Sequence, residues 1–350
     1  MTEPQNLFEQ QESNRRRSFW LTVGFVLFFA WVGFGGDLAW YLMSRGPAEP
    51  GGPVPSPHTI PLVGFVATLL AGGICWYSWK QGPDRVLWAT GAKEIFEPTS
   101  DAEQRLINVV EEMAIASGQP RPRIFVVPDS DPNAFATGID PAHACVAVTE
   151  GLLRTLGRDQ LQGVIAHEMA HVQNLDIRLM TLLAAMVGAI ALMSDGMGRL
   201  VRYGNVGRFS SSGGGSGSSR GKGGMPLALV VLVFWLITLL LAPLVSRLLA
   251  MAVSRKREYL ADATGVQFTR NPLALAGALE KLEAAAEPTH TITRGAAHLC
   301  IVDPSGGALS AQEGAVGDIF GSHPPIRQRI IRLKGMAYQW AKQTGAQTGA

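Results

Sequence analysis

The sequence predicts an integral membrane protein of the α+β class, mainly helical, with about four hydrophobic helices and a cytoplasmic domain. Only 17% of its 350 residues are charged, whereas soluble domains average about 25%. The deficit is concentrated in four uncharged runs, at 18–36, 59–79, 179–194 and 225–246. A helix needs roughly 20 apolar residues to cross a bilayer, and only the third run is shorter.

The charges that flank the first two runs predict their orientation. Arg15, Arg16 and Arg17 precede the first run, which favours a cytoplasmic N-terminus. Lys80 and Arg85 follow the second run, and the intervening Pro/Gly-rich loop carries little charge. We therefore expect a cytoplasmic tail over 1–17 and two transmembrane helices over 18–80. The first run is too long for a signal peptide and no cleavage site follows it, so we expect it to be a retained anchor.

The segment 90–178 has the pattern of a soluble domain. Ser100 and Glu103 have the spacing of a capping box before an amphipathic helix, which Gly118 ends. Short buried strands are expected over 123–127 and 144–148. A helix from about Arg158 follows them.

The segment 179–250 is predicted to form a hydrophobic helical hairpin, interrupted by a flexible Gly/Ser-rich linker over 204–224. Five cations lie in or beside this linker, which the positive-inside rule does not expect of an outside loop. A third helix packed shallowly against protein therefore stays an alternative to a full crossing.

The segment 251–340 is expected to complete the soluble domain. Two helices separated at Asn271–Pro272 precede a basic amphipathic helix that begins near Pro324. A flexible tail is expected over 341–350.

Composition excludes several kinds of site. A net charge of +2 is too small to indicate nucleic-acid binding, and no nucleotide-binding loop is present. Cys75, Cys145 and Cys300 have no C-x-x-C spacing, so we expect buried free thiols and no disulfide or thiolate metal site.

The stretch "VIAHEMAHVQNLD" has the pattern of a zinc hydrolase. His167 and His171 are four residues apart, so a helix presents both on one face where they can bind one ion. Glu168 is placed to take a proton from a metal-activated water. On this motif alone, a helix with two hydrogen-bonded histidines and a solvated glutamate stays open.

A third protein ligand is needed. A histidine six residues after His171 is excluded, because Ile177 occupies that position. In "SRKREYLAD", Glu258 and Asp262 share a helical face, so Glu258 can complete the site and Asp262 can accept the other ring proton of a ligating histidine. An ordinary charged helix surface is the alternative.

Several blocks together resemble the motifs of the HtpX family of bacterial membrane zinc metalloproteases: "AHEMAH", "SRKREYLAD", "NAFATG", "VAVTEGLL", "HLCIVDP" and "SHPPIRQRI". The resemblance covers nearly the whole chain, and the Gly/Ser linker is longer than the family usually carries. It implies a zincin-like cytoplasmic metalloprotease domain that holds one Zn²⁺. The implied ligands are His167, His171 and Glu258, with Glu168 as the catalytic base.

The resemblance also bears on how substrate binds. It implies that "NAFATG" forms an edge strand with which a substrate peptide pairs, and that Asn133 holds substrate backbone. A turn residue is the alternative for Asn133. For a donor to the oxyanion of the tetrahedral intermediate we consider His323 or Arg327, with a helix-start residue as the alternative for His323.

The expected function is a zinc endopeptidase in the bacterial inner membrane, multi-pass, with its active site facing the cytoplasm. Its partners are protein substrates, chiefly misfolded or damaged membrane proteins under stress, and the lipid bilayer. One alternative is a protease that processes one defined membrane or lipidated substrate. Another is a membrane scaffold with a structural metal site. If the helix of His167 continues into the third run, the zinc site lies at the cytoplasmic surface of the bilayer.

Overall fold

The computed structural model describes residues 7–44, 60–181, 255–285, 300–301 and 324–347. Most of the predicted hydrophobic hairpin, its linker and His323 lie outside these residues. The chain divides into two compact units. The first comprises Met1–Phe19, Tyr77–Ala185 and Leu249–Ala350, and the second comprises Trp20–Trp76 and Met186–Leu248.

The described chain begins with two long helices, α1 (Leu7–Ser44) and α2 (Leu62–Ala89). Within α1, the stretch Glu12–Leu38 is long and apolar enough to cross a membrane. Helix α2 is bent by 75° between Leu62–Tyr77 and Lys80–Ala89, and it is a second candidate only if these two segments form one span. Because α1 begins at Leu7, it includes much of the segment that the sequence assigns to a tail.

In the second unit, α1 and α2 pack through a small apolar cluster. Phe25 and Phe29 contact each other with ring centroids 4.6 Å apart, and Ala71 and Cys75 complete the cluster. Cys75 is buried and forms no disulfide, as predicted, and the same holds for Cys145 and Cys300 in the first unit.

The first unit contains a four-stranded mixed sheet. Its strands are β1 (Lys93–Glu94), β2 (Arg123–Val127), β3 (Ala134–Thr137) and β4 (Cys145–Thr149). The spatial order is β1-β2-β4-β3, with β2 and β4 parallel and the outer pairs antiparallel. The strand in "NAFATG" therefore lies at one end of the sheet.

Helix α3 (Asp101–Ser117) is capped at both ends, by Ser100 and by Gly118. The hydroxyl of Ser100 accepts a hydrogen bond from the Glu103 amide at 3.2 Å, which confirms the predicted cap. The Glu103 carboxylate accepts from the amide of Thr99 rather than from that of Ser100. Gly118 adopts φ 67°, a left-handed conformation that glycine tolerates, and it ends the helix as predicted.

Within the described residues, five further helices follow the sheet. They are α4 (Glu150–Thr155), α5 (Arg158–Gln173), α6 (Arg255–Thr269), α7 (Pro272–Ala285) and α8 (Ile326–Gln347). Helix α5 lies at the centre of the domain, where α3, α6, α7 and β3 all pack against it. The break between α6 and α7 falls at Asn271–Pro272 as predicted, while α8 continues to Gln347, into the segment assigned to a flexible tail.

Helix α5 does not continue directly into the hydrophobic run. It ends at Gln173, Leu175 adopts φ 58°, and a new helical segment begins at Asp176. A left-handed backbone costs a bulky residue about 1 kcal/mol or more. The break turns Asp176 back toward the end of α5, a position that a continuous helix would not give it.

The contact of α5 with α7 requires a glycine. A Cβ atom at Gly163 would lie 2.8 Å from the backbone nitrogen of Leu275, whereas one at Gly335 in α8 would meet no heavy atom within 4 Å. We expect Gly163→Ala to lower the free energy of unfolding by about 1–3 kcal/mol. Gly335→Ala should leave it unchanged or raise it by up to about 1 kcal/mol. Thermal unfolding of both variants is the measurement, and equal midpoints would contradict the packing described.

Candidate metal centre

The predicted ligands converge from α5 and α6. The rings of His167 and His171 are perpendicular, and their Nε2 atoms lie 3.2 Å apart. The carboxylate of Glu258 lies beside both, with Oε2 3.6 Å from Nε2 of His167 and Oε1 3.6 Å from Nε2 of His171. One ligand atom from each residue can be chosen so that all three lie within 4.8 Å of one another.

These distances fit a tetrahedral zinc ion. With metal–ligand bonds of 2.0–2.2 Å, two ligand atoms of a tetrahedral site are separated by about 3.4 Å. The Nε2–Nε2 separation of 3.2 Å and the two separations of 3.6 Å, each to a different oxygen of Glu258, lie close to that value. The three side chains can therefore bind zinc with little rearrangement and leave one coordination position open.

Buried charge around the ligands also fits a divalent cation. Four carboxylates are buried here, those of Glu168, Asp176, Glu258 and Asp262. Two guanidinium groups are buried with them, those of Arg257 and Arg329. Burying unbalanced charge is costly. When both histidines are neutral, as metal binding requires, a divalent cation would cancel the two excess negative charges.

Each imidazole is oriented by a carboxylate at its other nitrogen. The Oδ1 atom of Asp262 lies 3.0 Å from Nδ1 of His167, and the Oδ2 atom of Asp176 lies 3.1 Å from Nδ1 of His171. Both contacts leave Nε2 directed at the metal position. The sequence predicted the contact of Asp262 but missed Asp176, because Asp176 reaches His171 across the helix break at Leu175.

Arg329 of α8 binds Asp262, the carboxylate that orients His167. It is fully buried, and its guanidinium donates two hydrogen bonds to Asp262, at 2.9 and 2.7 Å. Burial raises the pKa of Asp262, but the charges of Arg329 and His167 outweigh it and the pKa is lowered. Arg329 also lies 3.4 Å from a carboxylate oxygen of Glu258.

The sequence of α8 indicates that Arg329 faces inward. The apolar residues Ile326, Ile330 and Leu333 define the inner face of α8, and position 329 lies on that face. Arg327, which the sequence suggested as an oxyanion donor, is instead exposed and pairs with Glu283. His323 lies outside the described residues, so its role stays a prediction.

Glu168 lines the same cavity as the ligands. The lining residues are Ala136, His167, Glu168, His171, Asp176, Ile177, Met180, Glu258, Cys300 and Ile301. Burial raises the pKa of Glu168, while the two histidines and a hydrogen bond from the backbone of Ala136 act in the opposite direction. A carboxylate with a raised pKa is a stronger base than one in water.

The edge strand β3 borders this cavity and is partly paired already. The amide of Ile301 donates to the carbonyl of Ala134 at 3.0 Å, and Cys300 forms a bridge with Phe135. Asn133 is fully buried at the start of β3, and its side-chain oxygen accepts from the amide of Ala134. Its proposed contact with substrate therefore needs a change of conformation and stays a prediction.

Two arginines of α8 provide a matched test of the buried charge network. Arg329→Leu leaves the buried carboxylate of Asp262 without its main counter-charge, so we expect the free energy of unfolding to fall by about 3–5 kcal/mol. Arg327→Leu removes an exposed ion pair and should change it by less than about 1 kcal/mol. Chemical denaturation of both variants tests this, and similar losses in the two would contradict it.

The protonation of His167 predicts how metal affinity depends on pH. Burial and the charge of Arg329 lower its pKa, but hydrogen bonds to Asp262 and Glu258 outweigh them and raise it to about 9. Below that pH the metal-free site holds a proton that metal must displace. Zinc affinity should therefore rise about tenfold per pH unit between about pH 6 and about pH 8.

Competition with a chelator of known pH dependence measures this slope. Asp262→Asn removes one of the groups that raise the pKa, so its slope should be smaller than that of the wild type. A zinc affinity independent of pH over this range would contradict the assignment.

The chain is similar in sequence to known proteases. A model of peptidase family M48 matches residues 100–337. A protease HtpX homolog of Streptococcus gordonii is 37% identical over 94% of this chain and 100% of its own length. The homolog of Thermoanaerobacter pseudethanolicus is 38% identical over 94% of this chain and 98% of its own. Among solved structures, S. mikatae Ste24p aligns with 90% of this chain and 66% of that chain, at 19% identity and a TM-score of 0.43.

Proposed function

The chain belongs to peptidase family M48, as an HtpX-family protease, and is a metalloendopeptidase; from this premise we propose that it binds one zinc ion per chain through His167, His171 and Glu258. The observation that carries the proposal is the convergence of these three side chains beside Glu168 in one cavity. Zinc is favoured over harder cations because two of the three ligands are imidazoles.

The residues of the centre have different proposed roles in catalysis. Bound zinc supplies a Lewis acid that polarises the scissile carbonyl and activates water. Glu168 takes the proton of the attacking water and delivers it to the leaving amine nitrogen. Asp262 and Asp176 keep the histidine rings in the orientation that directs Nε2 at the metal, and Asp262 is itself held by Arg329.

The substrate is proposed to bind as an extended strand. Strand β3 lies at the end of the sheet and contributes Ala136 to the cavity wall. A peptide that adds to this edge gains backbone hydrogen bonds whatever its side chains, which suits an endopeptidase of broad specificity. The pairing of β3 with Cys300 and Ile301 limits the edge available near Ala134.

We place the protein in the bacterial inner membrane, multi-pass, with the metal centre facing the cytoplasm. Supporting this, α1 carries several large apolar side chains that are exposed in the structure, among them Phe19, Trp20, Leu27 and Trp31. The arginines at 15–17 favour a cytoplasmic position for the end of this helix that precedes them. The domain organisation given above, including a hydrophobic hairpin over 179–250, is part of the same proposal.

The proposed role is quality control: cleavage of exposed segments of misfolded or damaged membrane proteins during stress. A panel of unrelated unfolded membrane proteins in detergent tests this role. A general endopeptidase cleaves most of them, whereas a protease for one defined substrate leaves most of them intact.

The variant Glu168→Gln tests the proposed base. Because the amide cannot accept a proton but has nearly the same shape, we expect a loss of about 10²–10⁴-fold in cleavage rate with zinc still bound at one per chain. The experiment uses protein purified with a chelator, with zinc added at the start and fragments followed over time. Equal rates in the variant and the wild type would rule out Glu168 as the base. Zinc binding without any cleavage by the wild type would favour a scaffold with a structural metal.

A further inference from the structure

The part of α1 in the first unit contains a buried polar residue that none of the chemistry above uses. Asn14 is only 2% exposed, although the arginines that follow it are exposed. Its side-chain amide donates two hydrogen bonds, each of 2.8 Å, to the carbonyl of Asn174 and to Oδ1 of Asp176. Asn14 is thus joined to a segment 160 residues away in the chain.

Both acceptors lie at the break after α5. Because the helix ends at Gln173, the carbonyl of Asn174 has left the regular hydrogen-bond ladder and needs another donor. Asp176 is fully buried, and its carboxylate must be held in place to orient the ring of His171. One asparagine amide has two N–H donors and satisfies both groups at once.

The carboxylate of Asp176 connects Asn14 to a proposed metal ligand, His171. Asn14 binds Oδ1 of Asp176, while Oδ2 of the same carboxylate lies 3.1 Å from Nδ1 of His171. Arg257 also approaches Oδ1, but at 3.7 Å this contact is too long for a hydrogen bond. Among the described residues, Asn14 therefore makes the shortest contact that holds this carboxylate in place.

We propose that Asn14 is a positioning residue of the metal centre, so that the N-terminal helix forms part of the support of His171. The proposal rests on the assignment of His171 as a metal ligand. It states that the first helix has a second role besides anchoring the chain: its docking sets the affinity of the site for metal.

Metal affinity is the primary test, with the full-length protein in detergent. Loss of a carboxylate that directly orients a ligand costs about 10–100-fold in metal affinity, so a residue acting through that carboxylate should cost less. We expect Asn14→Leu, of similar size but without donors, to weaken zinc binding by about 3–10-fold.

A matched control separates positioning from general damage to the helix. Ser18 is four residues further along α1, on the same face, and is also buried. Ser18→Ala should leave zinc affinity within about twofold of the wild type. The visible spectrum of bound Co²⁺ gives a second readout, since a reoriented imidazole changes it in Asn14→Leu and not in Ser18→Ala.

A double-mutant cycle with Asp176→Ala makes the test specific. If Asn14 acts through Asp176, adding Asn14→Leu to Asp176→Ala should change zinc affinity by less than about twofold. Additive losses, an unchanged affinity in Asn14→Leu, or an equal loss in Ser18→Ala would overturn the proposal. A wild-type protein that binds no zinc would instead refute the proposed function, together with this inference.

Discussion

The close packing of α5 against α6 is the contact through which the metal centre forms. Both histidines lie on α5, and Glu258 and Asp262 lie on α6, so the four side chains meet only if the two helix backbones approach closely. At Gly265 of α6 they do: a Cβ atom there would lie 3.0 Å from the backbone nitrogen of His167. The glycine allows α6 to lie against the backbone of a ligand, and the carboxylates one and two turns earlier then face the imidazoles.

The centre contains several buried carboxylates. Polar and cationic side chains from several parts of the chain stabilise them. Arg329 reaches Asp262 from α8, Arg257 approaches Asp176 from α6, and Asn14 reaches Asp176 from α1. Each of these groups is nearly inaccessible to solvent, so each contact is electrostatically stronger than it would be in water. The arrangement links metal binding to the positions of helices that supply no ligand.

Much of this could be predicted from sequence, because its signals are local. The i, i+4 spacing of His167 and His171, the spacing of Glu258 and Asp262, and the cap of α3 are all properties of single helices. Contacts between distant segments could not be predicted in this way. Asp176 reaches His171 only because Leu175 adopts a left-handed conformation, which no residue preference indicates. The partner of Asn14 likewise depends on tertiary packing, whereas the inward position of Arg329 was detectable from the apolar face of α8.

The most direct test of the account is X-ray absorption at the zinc edge, measured on zinc-loaded Glu168→Gln protein. That variant should keep the metal site without digesting itself. We expect zinc to be bound by two imidazole nitrogens and only oxygen otherwise, at about 2.0–2.2 Å. A sulfur neighbour at about 2.3 Å would contradict it, because it would make Cys300, which lines the cavity, a ligand in place of Glu258 or water.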